Sequence, residues 1–447
     1  MITEKSISEF LSNEYKEFAM YSIEGRAIPS VVDGFKPTQR KIIHISNQVW
    51  KSGTEKTKKV FQLAGVVADQ AYYHHGNASL ENAIITMAQK FKNNAPLLEE
   101  DGQFGSLRSP QAGAPRYIGT KLSENFRLIY KDFELLEYKE EEGESIEPKY
   151  FLPIIPAVLI NGSSGIAVGF ASNILNRDIK SIIDACVKVI GGKNPGEVKP
   201  SLNGFTGDFI QDSENNKRWI IRGKFDRVNT STVRITELPP SMTYEKYEEL
   251  LDKLVDDKTI VSYDDNCKDN IDYIIKFTRA DLEKYDDEKL VKLLKLEESS
   301  VEIYSTLDEN GKLKIFDCTS DIIKYFVEFR LFYYDKRKQF FLDKMQRELK
   351  VLSNRGRFIK AILDEKLKVN NVPKVEIIKQ IESLGLDKID DSYDYLLRMP
   401  IYSLTKEMYE KLKEDFKLKK EEIAKLEATD PKDMYISDLS ELKKKFK

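Results

Sequence analysis

Residues 60–91 read VFQLAGVVADQAYYHHGNASLENAIITMAQKF, and this stretch sets the architecture of the region around it. Val60–Gln70 has the pattern of a short helix. Leu80, Ile84, Met87 and Phe91 recur at helical spacing over 80–91. The link between them, AYYHHGNAS, is tight. Two short helices about such a link outline a helix-turn-helix, the unit that lays a helix into a DNA groove. Ordinary helix packing gives the same pattern, and spacing alone leaves both readings open.

Upstream, Asp33-Gly34-Phe35-Lys36-Pro37-Thr38-Gln39-Arg40-Lys41 is a turn running into a basic helix start. It fits a phosphate-binding edge with Lys36, Arg40 and Lys41 as contacts, and it fits a solvated, capped helix. Downstream, Arg116-Tyr117 follows residues 103–115, read as a flexible, Gly-bearing loop. With 22 tyrosines in the chain, one Arg-Tyr pair means little by itself. Its chemistry is nonetheless defined. A phenol, with a pKa of about 10, is a poor nucleophile at neutral pH. An adjacent guanidinium favours the phenolate and can bridge the oxygens of a phosphate under attack. The three histidines are His44, His74 and His75. The adjacent pair points in different directions on helix or strand and has no third ligand at metal spacing. It reads as loop side chains or as imidazoles on phosphate.

Residues 140–147 (EEEGESIE) are expected to form a solvated acidic loop. The apolar run 151–174, FLPIIPAVLINGSSGIAVGFASNI, is too interrupted for a membrane helix. It reads as buried strands around an exposed turn, Asn161-Gly162-Ser163-Ser164-Gly165. Short β-rich runs at 219–222, 232–235 and 273–277, with helical patterns at 244–254 and 282–296, make an α+β region up to about residue 318. From Ser320 the chain is almost all helix. Leu342, Met345, Leu349, Leu352, Gly356, Ile359 and Leu363 alternate by three and four, which predicts a long helix in a coiled coil. An internal helical hairpin and an oligomer contact both satisfy that seam. A further helix is expected over 403–426.

The bulk numbers frame these pieces. A chain of 447 residues exceeds a single core, so two to four domains are expected. Hydrophobic residues make up 41% and charged residues 32%, the balance of a folded protein with a charged surface. Three scattered cysteines supply no disulfide framework and no CxxC zinc pair, which fits a reducing compartment. With no signal-like start and no long apolar run, a cytoplasmic location is expected. The net charge of −3 argues against a DNA-binding surface covering the whole chain. Residues 1–130 carry about sixteen basic against about thirteen acidic side chains, so any DNA surface must be a local patch. No P-loop, GxGxxG or HExxH is present.

Taken in order, GRAIPSVVDGFKPTQRKI, AYYHHGNASLENAI, DGQFGS, APRYIGTKL, the 151–174 run and ITELPP resemble the breakage-reunion region of type IIA DNA topoisomerases. The resemblance runs from about Tyr15 to the C-terminus and is strongest up to Ile174. Within that family the length, the YHHG form and the lack of an extension after residue 447 are most like phage-type medium subunits. The resemblance implies an α+β multidomain fold. Its parts would be an N-terminal helical arm (1–24), a winged-helix cleavage domain (25–150), a tower domain (151–318), and a coiled coil with a dimerising C-gate (319–447).

The resemblance also implies the chemistry. Tyr117 would attack a DNA backbone phosphate, with Arg116 and Arg26 as the catalytic cations. Lys36 and His75 would hold the broken strand, with His74, Arg40 and Lys41 also on DNA, and Ile166 would wedge between base pairs. Implied partners are double-stranded DNA, a second copy of the chain, and a separate ATPase/Toprim subunit. That subunit would bind the ATP and most of the Mg2+, with no metal held by this chain. Departures matter too. Ala78 and Asn82 stand where gyrases carry the quinolone-bridging serine and acid, and Pro115 precedes the arginine as in eukaryotic enzymes. The rival classes are a DNA-binding architectural protein that does no chemistry, and a metal-dependent nicking enzyme built on His74 and His75.

Overall fold

The computed structural model describes residues 6–23, 27–53, 56–73, 76–141, 143–268 and 270–446. The chain divides into two compact units, residues 1–330 with 438–447, and residues 331–437.

In the first unit, helix α1 (Pro37–Val49) starts on a proline, whose fixed φ suits the first helical position. The Gln39 side chain reaches back to accept from the Lys36 N–H at 2.9 Å. A two-residue strand β1 (Lys58–Lys59) runs straight into α2 (Val60–Gln70), and α3 (Asn77–Ala88) follows the tight link. The second helix of the pair begins and ends three residues before the expected 80–91. It stops because Gln89 leaves the helix in an extended conformation, while the Asn93 side chain takes the freed Thr86 and Gln89 carbonyls at 2.7 and 2.8 Å. Strands β2 (Leu98–Asp101) and β3 (Gly119–Leu122) complete an antiparallel sheet of order β1-β3-β2. Leu63, Val67, Leu80, Ile84 and Ile42 are buried among these helices.

The acidic stretch is not a free loop. It forms the hairpin β4 (Tyr138–Glu141) and β5 (Glu144–Pro148), with Glu147 buried and salt-bridged to Lys41 at 3.0 Å and Lys139 at 3.3 Å. Burial disfavours that carboxylate, yet the two lysines outweigh the cost and hold it below the ordinary glutamate range.

The apolar run 151–174 is buried as expected at Phe151, Leu152, Ile154, Ile155, Val158, Leu159 and Ile160. Its middle, however, is a helical turn (Ala157–Ile160). The expected exposed turn at 161–165 is largely strand. Residues Ser163–Ile166 (β6) pair antiparallel with Ala171–Ile174 (β7), and the reversal lies at 167–170. There Ala167 N–H donates to Phe170 O at 2.8 Å, and Gly169 takes the left-handed φ of +77°.

Beyond it lie a three-stranded sheet of β8 (Asp208–Gln211), β9 (Arg218–Arg222) and β14 (Glu297–Val301), and a four-stranded sheet. The latter runs β10 (Lys224–Asn229), β11 (Thr232–Glu237), β13 (Tyr273–Lys276), β12 (Ser262–Asp265). Helix α4 (Tyr244–Asp256) packs Tyr247, Leu251 and Leu254 into the same core as Val233, Ile235 and Ile275. The expected 282–296 helix is two short ones, Arg279–Leu282 and Asp287–Leu293. Asp286 breaks the run by capping the second, accepting from the Lys289 N–H at 2.8 Å.

Helix α5 (Thr319–Leu363) has 45 residues, a length of about 67 Å at 1.5 Å per residue. Within the second unit α5 has a neighbour in the same chain. Lys338 donates to the Glu427 carbonyl at 2.8 Å and Lys419 meets Glu348 at 3.2 Å, so α6 (Lys406–Ala428) runs antiparallel beside it. Leu342 and Ile359 are buried, whereas Leu363, at the helix end, is largely exposed. A separate core of Phe358, Leu367, Ile381, Leu386 and Leu396 closes the unit.

Candidate active site and nucleic-acid interface

Tyr117 ends a tight turn immediately before β3. Its N–H donates to Ala114 O at 2.8 Å. The turn is hung from the start of α2, where Val60 N–H donates to Ile118 O at 3.1 Å and Phe61 N–H to Pro115 O at 3.2 Å. Ile118 is buried beside Gly102 and Gly113, which fixes the backbone just after the tyrosine. The ring itself is 71% exposed. The Arg116 guanidinium lies 5.3 Å from the ring centroid, and Lys59 Nζ donates to the Tyr117 carbonyl at 2.6 Å. The ring therefore stands in solvent on a backbone-anchored turn, with the Arg116 guanidinium beside it and Lys59 on the carbonyl of the same residue. The positive charge of these two side chains favours an anion such as a phosphate near the turn. The loop 103–115, expected to be flexible, is closed on itself. Gly113 N–H donates to Gln103 O at 2.8 Å, and Gln89 donates to Phe104 O at 2.7 Å.

Lys36 Nζ donates to Ser164 O at 2.7 Å, which ties the turn before α1 to strand β6. Burial lowers its affinity for a proton below that of an ordinary lysine. It lines a cavity of about 410 Å3 together with Gln39, Lys92, Asn161, Gly162 and Asn176. Ile166 ends β6 at 88% exposed, an apolar side chain presented to solvent at the tip of a hairpin. The hairpin base is stiff: Asn173 exchanges two 2.9 Å backbone bonds with Ile303, and Asn161 exchanges two 2.8 Å bonds with Ala95.

Arg40 and Lys41 do not stand free on this surface. Arg40 is 6% exposed and forks onto Asp33 at 2.7 and 3.0 Å. Lys41 donates to Ala71 O at 2.5 Å and meets buried Glu147. Both serve packing: α1 turns their side chains inward, onto acids whose sequence surroundings suggest a solvated position. Arg26, His74 and His75 lie outside the described residues. Lys58 and Lys59 belong to none of the motifs, although the run Lys56-Thr57-Lys58-Lys59 just before a helix start was the available signal. Among the described residues, no three His, Cys, Asp or Glu side chains converge where they would hold a metal ion. No helix of the described residues is long and apolar enough to cross a membrane.

Residues 26–441 match the family model for the A chain of DNA gyrase/topoisomerase IV. The protein belongs to that family. The DNA topoisomerase medium subunit of Enterobacteria phage T4 is 33% identical over 448 residues, spanning 99% of this chain and 100% of the phage protein. DNA topoisomerase 2 of Plasmodium falciparum is 34% identical across 98% of this chain, which spans only 34% of that relative. The solved DNA-binding, cleavage and re-ligation domain of Plasmodium falciparum topoisomerase II superposes with a TM-score of 0.85 at 33% identity. That match covers 98% of this chain and 64% of the solved one. The chain thus matches the phage protein end to end and about a third of the eukaryotic relatives. As a type II topoisomerase family member it shares the mixed α/β architecture of the cleavage domain.

Proposed function

We propose that this chain is the DNA cleavage and re-ligation subunit of an ATP-dependent type II topoisomerase. The observation that carries the reading is the exposed Tyr117 phenol on a backbone-anchored turn beside Arg116 and Lys59. The Tyr117 oxygen attacks a backbone phosphorus, the P–O3′ bond breaks, and a 3′ hydroxyl leaves while the 5′ phosphate stays on the tyrosine. The phosphodiester bond is exchanged and not hydrolysed, so the 3′ hydroxyl reverses the step without added energy. Arg116, with Arg26 and Lys59 assisting, offsets the charge that builds on the phosphoryl oxygens. Lys36 and His75 hold the broken strand, His74 contacts the DNA beside them, and Ile166 enters between base pairs to bend the duplex.

The domains follow the family plan: an arm over 1–24, a winged helix over 25–150, a tower over 151–318, and a coiled coil with C-gate over 319–447. The exposed pair Ile401 and Tyr402 supports a homodimer contact in the last region, since two adjacent large apolar side chains stand in solvent there. ATP and Mg2+ come with a partner ATPase/Toprim subunit, and no metal-borne step is assigned to this chain's own groups.

Supercoiled plasmid, the ATPase/Toprim partner, ATP and Mg2+ test the reading. Wild-type chain relaxes the plasmid, while Tyr117→Phe binds it equally and leaves it supercoiled. Equal relaxation by the two would show that Tyr117 is not the nucleophile, and DNA binding with no relaxation by either would favour an architectural role.

A further inference from the structure

Two stretches carry no part of the chemistry above: the loop 103–115 and the Glu237-Leu238-Pro239-Pro240 end of strand β11. A single buried guanidinium joins them. Arg108 leaves the middle of the loop and enters a cradle of acceptors. Its Nη1 donates to Pro239 O at 2.6 Å and Met242 O at 2.9 Å. Its Nη2 donates to Leu238 O and to Glu237 Oε1, both at 2.5 Å. The backbone adds a further tie, with Tyr244 N–H at the start of α4 donating to Arg108 O at 3.1 Å.

The carboxylate is held as firmly as the cation. Leu238 N–H donates to Glu237 Oε1 at 3.0 Å, and Thr206 donates to Oε2 through its N–H at 2.9 Å and its hydroxyl at 2.8 Å. Both side chains of the pair are 7% exposed. On either side of Arg108 in the sequence, buried Gln89 at the end of α3 takes the loop's Phe104 and Pro110 carbonyls, donating to both. Between these anchors Gly105 adopts a φ of +84°, where any Cβ would sit 2.8 Å from the Pro110 backbone. The loop is therefore one closed piece, pinned to α3 on one side and to the β11–α4 junction on the other. It runs without a break into the turn that carries Arg116 and Tyr117.

A buried ion pair adds little net stability relative to apolar packing, but it fixes geometry. A guanidinium fork fixes it best, because its donors have set directions. We propose that Arg108 and Glu237 are positioning residues for Tyr117, locking the nucleophile's loop to the sheet region so that the phenol meets the phosphate in one geometry. The inference rests on Tyr117 being the nucleophile.

The test uses full-length chain with its ATPase/Toprim partner, Mg2+ and a duplex, comparing Arg108→Lys, Arg108→Ala and Glu237→Gln with wild type and Tyr117→Phe. Three quantities are read: DNA affinity, thermal midpoint, and the single-turnover rate of covalent adduct formation per bound complex. Arg108→Lys keeps the charge and loses the fork. Its adduct rate is expected to fall about 10- to 100-fold, the cost of a small misplacement of reacting groups, while DNA affinity stays unchanged. Glu237→Gln keeps the shape and lies between it and wild type. A folded Arg108→Lys with a wild-type rate per bound complex overturns the proposal. So does a rate that falls only in step with DNA affinity or with the folded fraction. If Arg108→Ala does not fold, Arg108→Lys and Glu237→Gln decide. Adducts persisting in Tyr117→Phe would sink the nucleophile assignment itself. Their loss there, beside an unaltered Arg108→Lys, would sink the strap alone.

Discussion

Removing a buried cation strands its partner, whereas removing one in solvent strands nothing, and Arg40 and Lys59 are one of each. Asp33 is fully buried, and Arg40→Ala would leave its carboxylate only the Phe35 and Phe151 N–H groups. The expected loss is about 3–5 kcal/mol in denaturant unfolding, the cost of an uncompensated buried charge. Lys59→Ala should change stability by no more than about 0.5 kcal/mol. Its effect falls on DNA binding, where the slope of log affinity against log salt should lose about one unit if the ammonium reaches a phosphate. His44 supplies a pH dependence. Burial lowers its pKa from the usual 6.5, Glu147 opposes that and Lys41 adds to it; the ring bonds Gln48 at 2.9 Å and packs edge-on against Tyr138. A depressed histidine pKa means the unfolded chain binds the proton more readily. The contribution is complete above about pH 6.5 and is lost as pH falls through the lower, folded value. His44→Gln should flatten that part of the stability profile, as read by denaturant midpoints across pH. Six motifs in order singled out Tyr117 among 22 tyrosines, and its ring is exposed as a nucleophile there requires. The burial of Arg40 was not legible in the sequence, because Asp33 lies seven residues away across a turn, at no helical spacing that marks a pair.

Hairpin β6–β7 shows how one element is tuned for presentation. Gly162 at its base takes a φ of +63°, and a Cβ there would overlap the Ile174 carbonyl. Gly162→Ala should therefore cost at least about 1 kcal/mol, from left-handed backbone strain alone, with the unfolding midpoint as the measure. Ile166→Ala should leave that midpoint unchanged, because the side chain is in solvent. It should instead reduce the bend of bound duplex measured by energy transfer between its ends; an unaltered bend would remove the wedge role. Periodicity located the helices α2 and α4 and strands β9, β11 and β13 within a residue or two, since each alternates cleanly between core and solvent. It failed where tertiary contacts overrule pattern. Glu147 is acidic yet buried because Lys41 and Lys139 reach it from other elements. The run 282–296 is apolar enough for one helix, yet Asp286 caps a second start within it.

Across the whole chain, the net charge of −3 leaves the proposed DNA contact to local cations, such as Arg116 and Lys59 at the Tyr117 turn. The heptad pattern predicted a long helix but left its partner open; α6 of the same chain lies antiparallel beside it. The homodimer proposed above would use the exposed Ile401–Tyr402 surface. Ile401→Asp with Tyr402→Asp should shift the protein from dimer to monomer in sedimentation, and a persistent dimer would place the contact elsewhere. The central claim is that one phenolic oxygen becomes bonded to DNA. Its most direct measurement is to trap the reaction of chain, ATPase/Toprim partner, Mg2+ and duplex with detergent, digest both polymers, and sequence the nucleotide-bearing peptide by mass spectrometry. The account predicts a 5′-phosphoryl nucleotide on Tyr117 and on no other residue; a nucleotide on a different side chain, or adducts undiminished in Tyr117→Phe, would contradict it.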